Sequence, residues 1–307
     1  MPNENAITKV YSTTISVLVP TLNAEKKIGQ LLSALLDQDF PIEEILVIDS
    51  SSDDKTVDIC EEYSKVHVIR IPREEFDHGK TRDMAVRKSK SEIVVFLTQD
   101  AIPSDKGFLG KLISPLKNPD IAVSVGRQLP KQNALEMEAL VRRFNYPSES
   151  NMRSANDIPR MGIKAFFCSN SCAAYRKDVY LALGGFEYPL KSNEDMLFAA
   201  KALQNGYRVA YTADACVYHS HNFSLREQYK RNYLQGYEIE RHWTLLSSAS
   251  LGKEGMQLVK TVSTGLLKGR HVGALFYFGM DCIARWLGNR NGKAAYRREM
   301  RKNVHNR

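Results

Sequence analysis

Apolar residues arrive in two alternating rhythms along the first half of the chain. Short unbroken runs read as buried strands: "ISVLVP" from Ile15, "EILVIDS" from Glu44, "VHVIRI" from Val66, and Ile93 to Leu97. Between them, Ile28, Leu31, Leu32, Leu35 and Leu36 recur at the spacing of one helix face. Ser51 and Asp54 have the spacing of a capping box and predict a helix through Tyr63; another helix spans Thr81 to Lys88. Strands alternating with helices predict an α/β fold with a mostly parallel sheet covered on both faces.

The rhythm loosens after a helix at Phe108 to Leu116. "IAVSV" from Ile121 is a strand, Asn133 to Phe144 a helix, and residues 146–162 a polar loop long enough to suggest function. Two short strands, Ala165 to Phe167 and Ala173 to Tyr175, bracket "CSNS". A helix from Ser192 to Leu203 stops at Asn205-Gly206, and "YRVAYT" and "ACVYHSH" read as two strands. Beyond Ser224 the pattern is helical to the end.

The 307 residues are 43% hydrophobic and 25% charged, ordinary for a soluble globular protein. No stretch reaches the roughly 20 apolar residues of a spanning helix, and no charged segment followed by an apolar one opens the chain as a secretory signal would. Five cysteines without a CxxC pair argue against a disulfide framework or zinc knuckle and predict a cytoplasmic protein. The net charge of +8 sits almost wholly in the tail: from Arg285 onward eight Lys or Arg face one Glu. A near-neutral body argues against a nucleic-acid-binding fold, which usually carries its basic stripe on the fold itself. The basic tail, after apolar segments at Met256 to Leu267 and Val272 to Leu287, predicts peripheral attachment to an anionic membrane surface.

Candidate chemistry lies at strand ends. "LVID" ends at Asp49 and "FLTQD" at Asp100, on the sheet edge where open α/β folds bind ligands. Turn acids would give the same pattern. "SNEDMLF" places Glu194 and Asp195 at a helix start, where carboxylates also serve as caps. "YHSH" puts His219 and His221 on one face of an extended segment, a spacing that suits a metal or a phosphate. No GxGxxG follows the first strand, so the dinucleotide fingerprint is absent.

The ordered succession "ISVLVPTLN", "EILVIDSSSDDKT", "HGKTRDMAV", "IVVFLTQDAIP", "NEDMLFAAKALQNGYRVAY" and "VYHSH" resembles glycosyltransferase family two, the inverting enzymes of the GT-A fold. "FDHGKTRDMA", the Gln-Asp-Ala strand end and "HSH" are most similar to its bacterial rhamnosyltransferase branch, which builds cell-wall and O-antigen polysaccharides. The resemblance implies a Rossmann-like central sheet in a GT-A domain over residues 12–224, its nucleotide half ending near 105, and a helical region over 225–307. It implies an enzyme at the inner face of the plasma membrane. That enzyme moves L-rhamnose from dTDP-β-L-rhamnose to a lipid-linked saccharide acceptor, forming an α-L-rhamnoside. Asp195 matches the catalytic base. Thr21, Asp49, Arg82, Gln99 and Glu194 match substrate-side positions.

Family members hold Mg²⁺ or Mn²⁺ with a DxD at the strand end to neutralise the departing diphosphate. Here the triplet is Thr98-Gln99-Asp100, so one aspartate is missing; Asp100 with His219 and His221 is the expected metal set. "IDSSSDD" also lacks the glycine of the related "DDGS" turn. Alternatives are a UDP-hexose donor, a non-catalytic sugar-nucleotide module and a nucleic-acid-binding protein. A homo-oligomer stays open.

Overall fold

In the computed structural model, which describes residues 13–249 and 253–305, the four N-terminal apolar runs are the strands expected of them. They are β1 (Ile15–Thr21), β2 (Glu44–Asp49), β3 (Val66–Arg70) and β4 (Ile93–Leu97), paired in parallel in the order β3-β2-β1-β4. Successive residues of a strand point to opposite faces. Val17 and Val19 accordingly enter one apolar cluster while Leu18 enters the other, and Ile45 and Val47 alternate likewise with Leu46 and Ile48. Unbroken apolar runs are what a sheet covered on both faces requires.

Beyond β4 the sheet becomes mixed. The remaining strands are β5 (Ile102–Pro103), β6 (Ile121–Leu129), β7 (Asn151–Arg153), β8 (Cys172–Arg176) and β9 (Arg208–Tyr218). The order continues from β4 through β8, β6 and β9 to β5, with β7 also on β9. β8 runs antiparallel to both β4 and β6, so β6 and β9 regain the direction of β1 to β4. Most strands therefore end at one edge of the sheet, and that edge collects the polar residues that follow β1, β2, β4, β6 and β9.

Several local expectations shift. The predicted capping box does not form: Ser51 adopts φ 58°, and the helix begins at Thr56, where the Asp54 carboxylate accepts from Thr56 N at 3.0 Å. The helix His78–Lys88 starts earlier than predicted because Asp77 caps it through Gly79 N and Lys80 N. The helix Phe108–Ile113 tightens into a 3₁₀ turn around Pro115, and the helix predicted from Asn133 begins at Glu136. The loop 146–162 contains β7 and a capping box between Ser154 and Asp157. Residues Gly162–Phe166 form a 3₁₀ turn, not a strand. The two strands predicted around Ala213 are one, β9, which absorbs a register shift opposite Gly126. A Cβ at Gly126 would lie 2.2 Å from Cys172 Sγ, so only glycine fits there.

From Leu225 on, the described chain is helical, with helices Leu225–Arg241, Trp243–Leu246, Lys253–Lys268 and Val272–His305. Helix Leu225–Arg241 lies against the long last helix with glycines at the crossing. A Cβ at Gly292 would meet Tyr233 O at 2.0 Å, and one at Gly288 would meet Tyr229 O at 2.4 Å. Backbones at that spacing leave no room for side chains.

Candidate active site

Asp100 follows β4 by three residues, His219 follows β9 directly, and Lys131 follows β6 by two, so strand direction alone brings them together. His219 Nε2 lies 3.3 Å from Asp100 Oδ1, and His221 Nε2 lies 3.7 Å from Oδ2 and 3.0 Å from His219 Nε2. One ligand atom from each residue falls within 4.8 Å of the others. Lys131 Nζ contacts Asp100 Oδ2 at 2.7 Å, with Lys27 Nζ at 3.8 Å.

The tautomer of His219 follows from its neighbours. Arg142, which can only donate, places Nη1 2.6 Å from Gln128 Oε1, fixing the Gln128 amide orientation. The same oxygen lies 2.8 Å from His219 Nδ1, so Nδ1 carries the proton and Nε2 presents a lone pair to Asp100. A carboxylate beside the His219 lone pair, with a second imidazole nitrogen 3.7 Å away on His221, is a donor set that fits a divalent cation. Burial opposes ionisation of Asp100, but the cationic side of its surroundings, with Lys131 Nζ donating at 2.7 Å, outweighs it and holds the carboxyl below the usual range. Burial lowers His219 and, as the largest cause, brings His221 down to about 4, which favours the neutral imidazoles that metal binding needs.

The second centre is built at the N-terminus of β8. Asn170, in the "CSNS" turn, donates its backbone N–H to Asp195 Oδ2 at 3.0 Å and its side-chain amide to Glu194 Oε1 at 3.0 Å. Tyr175 OH donates to the side-chain Oδ1 of Asn170 at 2.7 Å and fixes the amide's orientation. Glu194 is buried against the Arg82 guanidinium at 3.4 Å, and Arg82 in turn bonds His78 O. Asp195 keeps partial exposure. Burial first, and the adjacent Glu194 charge second, raise its carboxyl to about 7. Asp195 Oδ1 also accepts from Met196 N at 2.7 Å, so it does satisfy one free N–H of the helix start. Gln128 joins the two centres, since its Nε2 donates to Ser169 Oγ beside Asn170.

The remaining predicted residues line the same edge. Asp49 is buried and accepts from Ser52 N, Ser52 Oγ and Thr21 Oγ1, which ties β1 to the turn after β2. Ser51 occupies the left-handed position where the related turn carries glycine, held by its Oγ on Ile71 O and by Arg73 on its own carbonyl. Gln99 does not point at Asp100's partners. Its amide clasps the Leu22 backbone in both directions, accepting from N at 2.9 Å and donating to O at 3.2 Å.

Sequence reasoning missed Gln128, Lys131, Arg142 and the function of Asn170. β6 runs to Leu129, past the apolar "IAVSV", so the polar "RQLPK" at its end was a legible signal. Arg231, beyond the sheet, stacks on the Phe223 ring at 4.3 Å, and Phe223 stacks on His221.

A mixed sheet that gathers a candidate cation cluster and a raised acid at one edge is the layout of a GT-A fold. The sequence matches the glycosyl transferase family 2 profile over residues 16–184. The chain is 37% identical over 284 residues to the O-antigen chain rhamnosyltransferase RfbN of Salmonella typhimurium, covering 91% of this chain and 89% of that protein. It is 38% identical, with the same coverage, to the O-antigen chain rhamnosyltransferase WbaN of Salmonella anatum. In three dimensions it is similar to the mannosyltransferase PcManGT of Pyrobaculum calidifontis, solved with GDP-Man and Mn²⁺ (TM-score 0.62, 16% identity, 91% of this chain and 88% of that one). It is also similar to Staphylococcus aureus TarS 1-349 with UDP-GlcNAc (TM-score 0.55, 22% identity, 93% and 92%). The chain belongs to glycosyltransferase family 2 and is a glycosyltransferase.

Proposed function

We propose that this enzyme transfers L-rhamnose from dTDP-β-L-rhamnose to a hydroxyl of a lipid-linked saccharide in cell-surface polysaccharide synthesis, with inversion to an α-L-rhamnoside. The observation that carries the reading is the identity of 37–38% to two O-antigen rhamnosyltransferases across 91% of the chain. In this reading residues 12–224 form the transferase unit and 225–307 a helical region that keeps the enzyme on an anionic membrane surface at the inner face of the plasma membrane.

Asp195 is the base. Its partial exposure and raised carboxyl suit a group that takes the acceptor's proton near neutral pH as that oxygen attacks the anomeric carbon. Glu194 and Asn170 hold it in place, and Arg82 neutralises Glu194. Asp100, His219 and His221 would hold Mn²⁺ or Mg²⁺, with the two imidazoles favouring Mn²⁺. When bound, that ion would neutralise charge on the departing diphosphate. Lys131 and Lys27 add side-chain cations on the same side. Thr21 and Asp49 shape the nucleotide pocket, and Gln99 orders its first loop through Leu22.

A panel of sugar nucleotides with Mn²⁺, scored by donor consumption and by product on a lipid-linked acceptor, tests the reading. Turnover of dTDP-L-rhamnose above all others is expected. Turnover of a UDP-hexose with dTDP-L-rhamnose untouched would replace the donor.

A further inference from the structure

Helices Lys253–Lys268 and Val272–His305 form a hairpin with two unlike sides. One side packs inward: Val262, Leu266 and Phe278 are buried with Met137 and Val141 of helix Glu136–Asn145. The other side is uncovered among the described residues. Met256, Leu267, Val272, Phe276, Ile283 and Trp286 are each 59–72% exposed. Val272, Phe276, Ile283, Trp286, Leu287 and Arg290 recur at helical spacing, an exposed stripe about 27 Å long at 1.5 Å per residue.

The charge on this side has one sign. From Gly255 to Arg290 the exposed charged residues are Lys260, Lys268, Arg270 and Arg290. The one acid in that span, Asp281, is buried and bound by Arg285. The Arg290 guanidinium lies over the Trp286 ring at 5.3 Å, an amphipathic pair suited to a headgroup boundary. The tail beyond contributes less than its count suggests, because Arg297 makes a two-bond pair with Glu240.

We infer that this hairpin face docks flat onto an anionic phospholipid bilayer, its apolar stripe in the interface and its cations on the headgroups. No helix among the described residues is long and apolar enough to cross a membrane, so the hairpin lies on the surface. A second copy fits the face poorly: a two-fold contact would set its cations against themselves with no acid between them. The inference deepens the membrane reading above by naming the surface, and its test reads vesicle binding without any sugar transfer.

The test is flotation of the full chain with phosphatidylethanolamine–phosphatidylglycerol vesicles against pure phosphatidylcholine vesicles. Two variants accompany it: Phe276→Ser/Ile283→Ser/Trp286→Ser, and Lys260→Gln/Lys268→Gln/Arg270→Gln/Arg290→Gln. The wild type is expected to float with the anionic vesicles only. Each variant is expected to lose partitioning by roughly 10²-fold or more while keeping the wild-type thermal midpoint, which reports an intact fold. A wild type that fails to float, floats equally on both lipids, or is matched by both variants overturns the inference. A dimer that dissociates in the apolar variant, without flotation, assigns the face to a second copy. Capture of an acidic protein with no lipid binding assigns it to a protein partner.

Discussion

Replacing Asp195 by asparagine separates chemistry from architecture, and the two should move in opposite directions. Loss of a positioned base is expected to slow transfer by roughly 10²–10⁴. The effect on stability follows from the raised carboxyl, which sits at about 7 against an ordinary 3.8. Between those values the folded chain binds more protons than the unfolded one, so stability falls as pH rises through that window. At about pH 8 the ionised group carries up to ~4 kcal/mol of unfavourable free energy, less whatever partial solvent contact screens. Asparagine offers one oxygen where Asp195 uses two, so either Asn170 N or Met196 N loses its acceptor, at about 1–3 kcal/mol. The net expectation is a variant ~1–2 kcal/mol more stable than wild type at about pH 8. That advantage should vanish or reverse at about pH 4, where the wild-type carboxyl is already neutral. Glu194→Gln is the contrast: it leaves the buried Arg82 without its counter-charge and should cost ~2–4 kcal/mol while slowing transfer less than Asp195→Asn. Transfer rate and thermal midpoint for the three proteins at both pH values decide the matter. Near-native transfer by Asp195→Asn would refute the base assignment, and an Asn variant that is less stable at the higher pH would refute the electrostatic reasoning.

Wild-type transfer rate should rise with pH through about 7, as the base loses its proton, and a rate flat across that range would point to another base. Asp100→Ala should lower donor turnover by about 10²-fold, the effect of losing one stabiliser of a developing oxyanion, and calorimetry should show its Mn²⁺ binding gone. Unchanged Mn²⁺ affinity would return Asp100 to a turn residue. Gly292→Ala should cost about 1–3 kcal/mol in denaturant unfolding despite alanine's better helix propensity, because its Cβ meets the Tyr233 carbonyl at 2.0 Å. A neutral result would mean the two helices separate readily. Ser51→Gly should raise stability by up to ~1 kcal/mol by relieving a left-handed serine, less the lost bond to Ile71 O. A clear loss would show that the Ser51 hydroxyl outweighs the strain.

The sequence was most legible where one physical rule acts alone. β1, β2 and β4 are buried on both faces, so their apolar runs needed no partner to be recognised. Strand polarity then carried Asp49, Asp100 and His219 to one edge, which made a candidate site legible in the sequence. What the pattern hid depends on partners distant in sequence. Asn170 is an ordinary polar residue until the helix of Glu194 and Asp195 meets its amides across 24 and 25 residues. Gln128 orients His219 only because β6 and β9 pair and Arg142 reaches it from the next helix. Gln99 fills a position that the family resemblance marks for substrate, yet its amide is spent on Leu22, 77 residues away. Local signals also misled: Ser51 and Asp54 have capping-box spacing, but Asp49 claims Ser52 and bends the turn the other way.

The measurement that bears most directly on the whole account is the structure of the product. Wild-type enzyme with dTDP-β-L-rhamnose, Mn²⁺ and a lipid-linked saccharide should give a new glycoside whose anomeric proton and one-bond carbon–proton coupling identify α-L-rhamnose. A β-L-rhamnoside would contradict the single inverting displacement assigned to Asp195, and free rhamnose as the only product would contradict transfer itself.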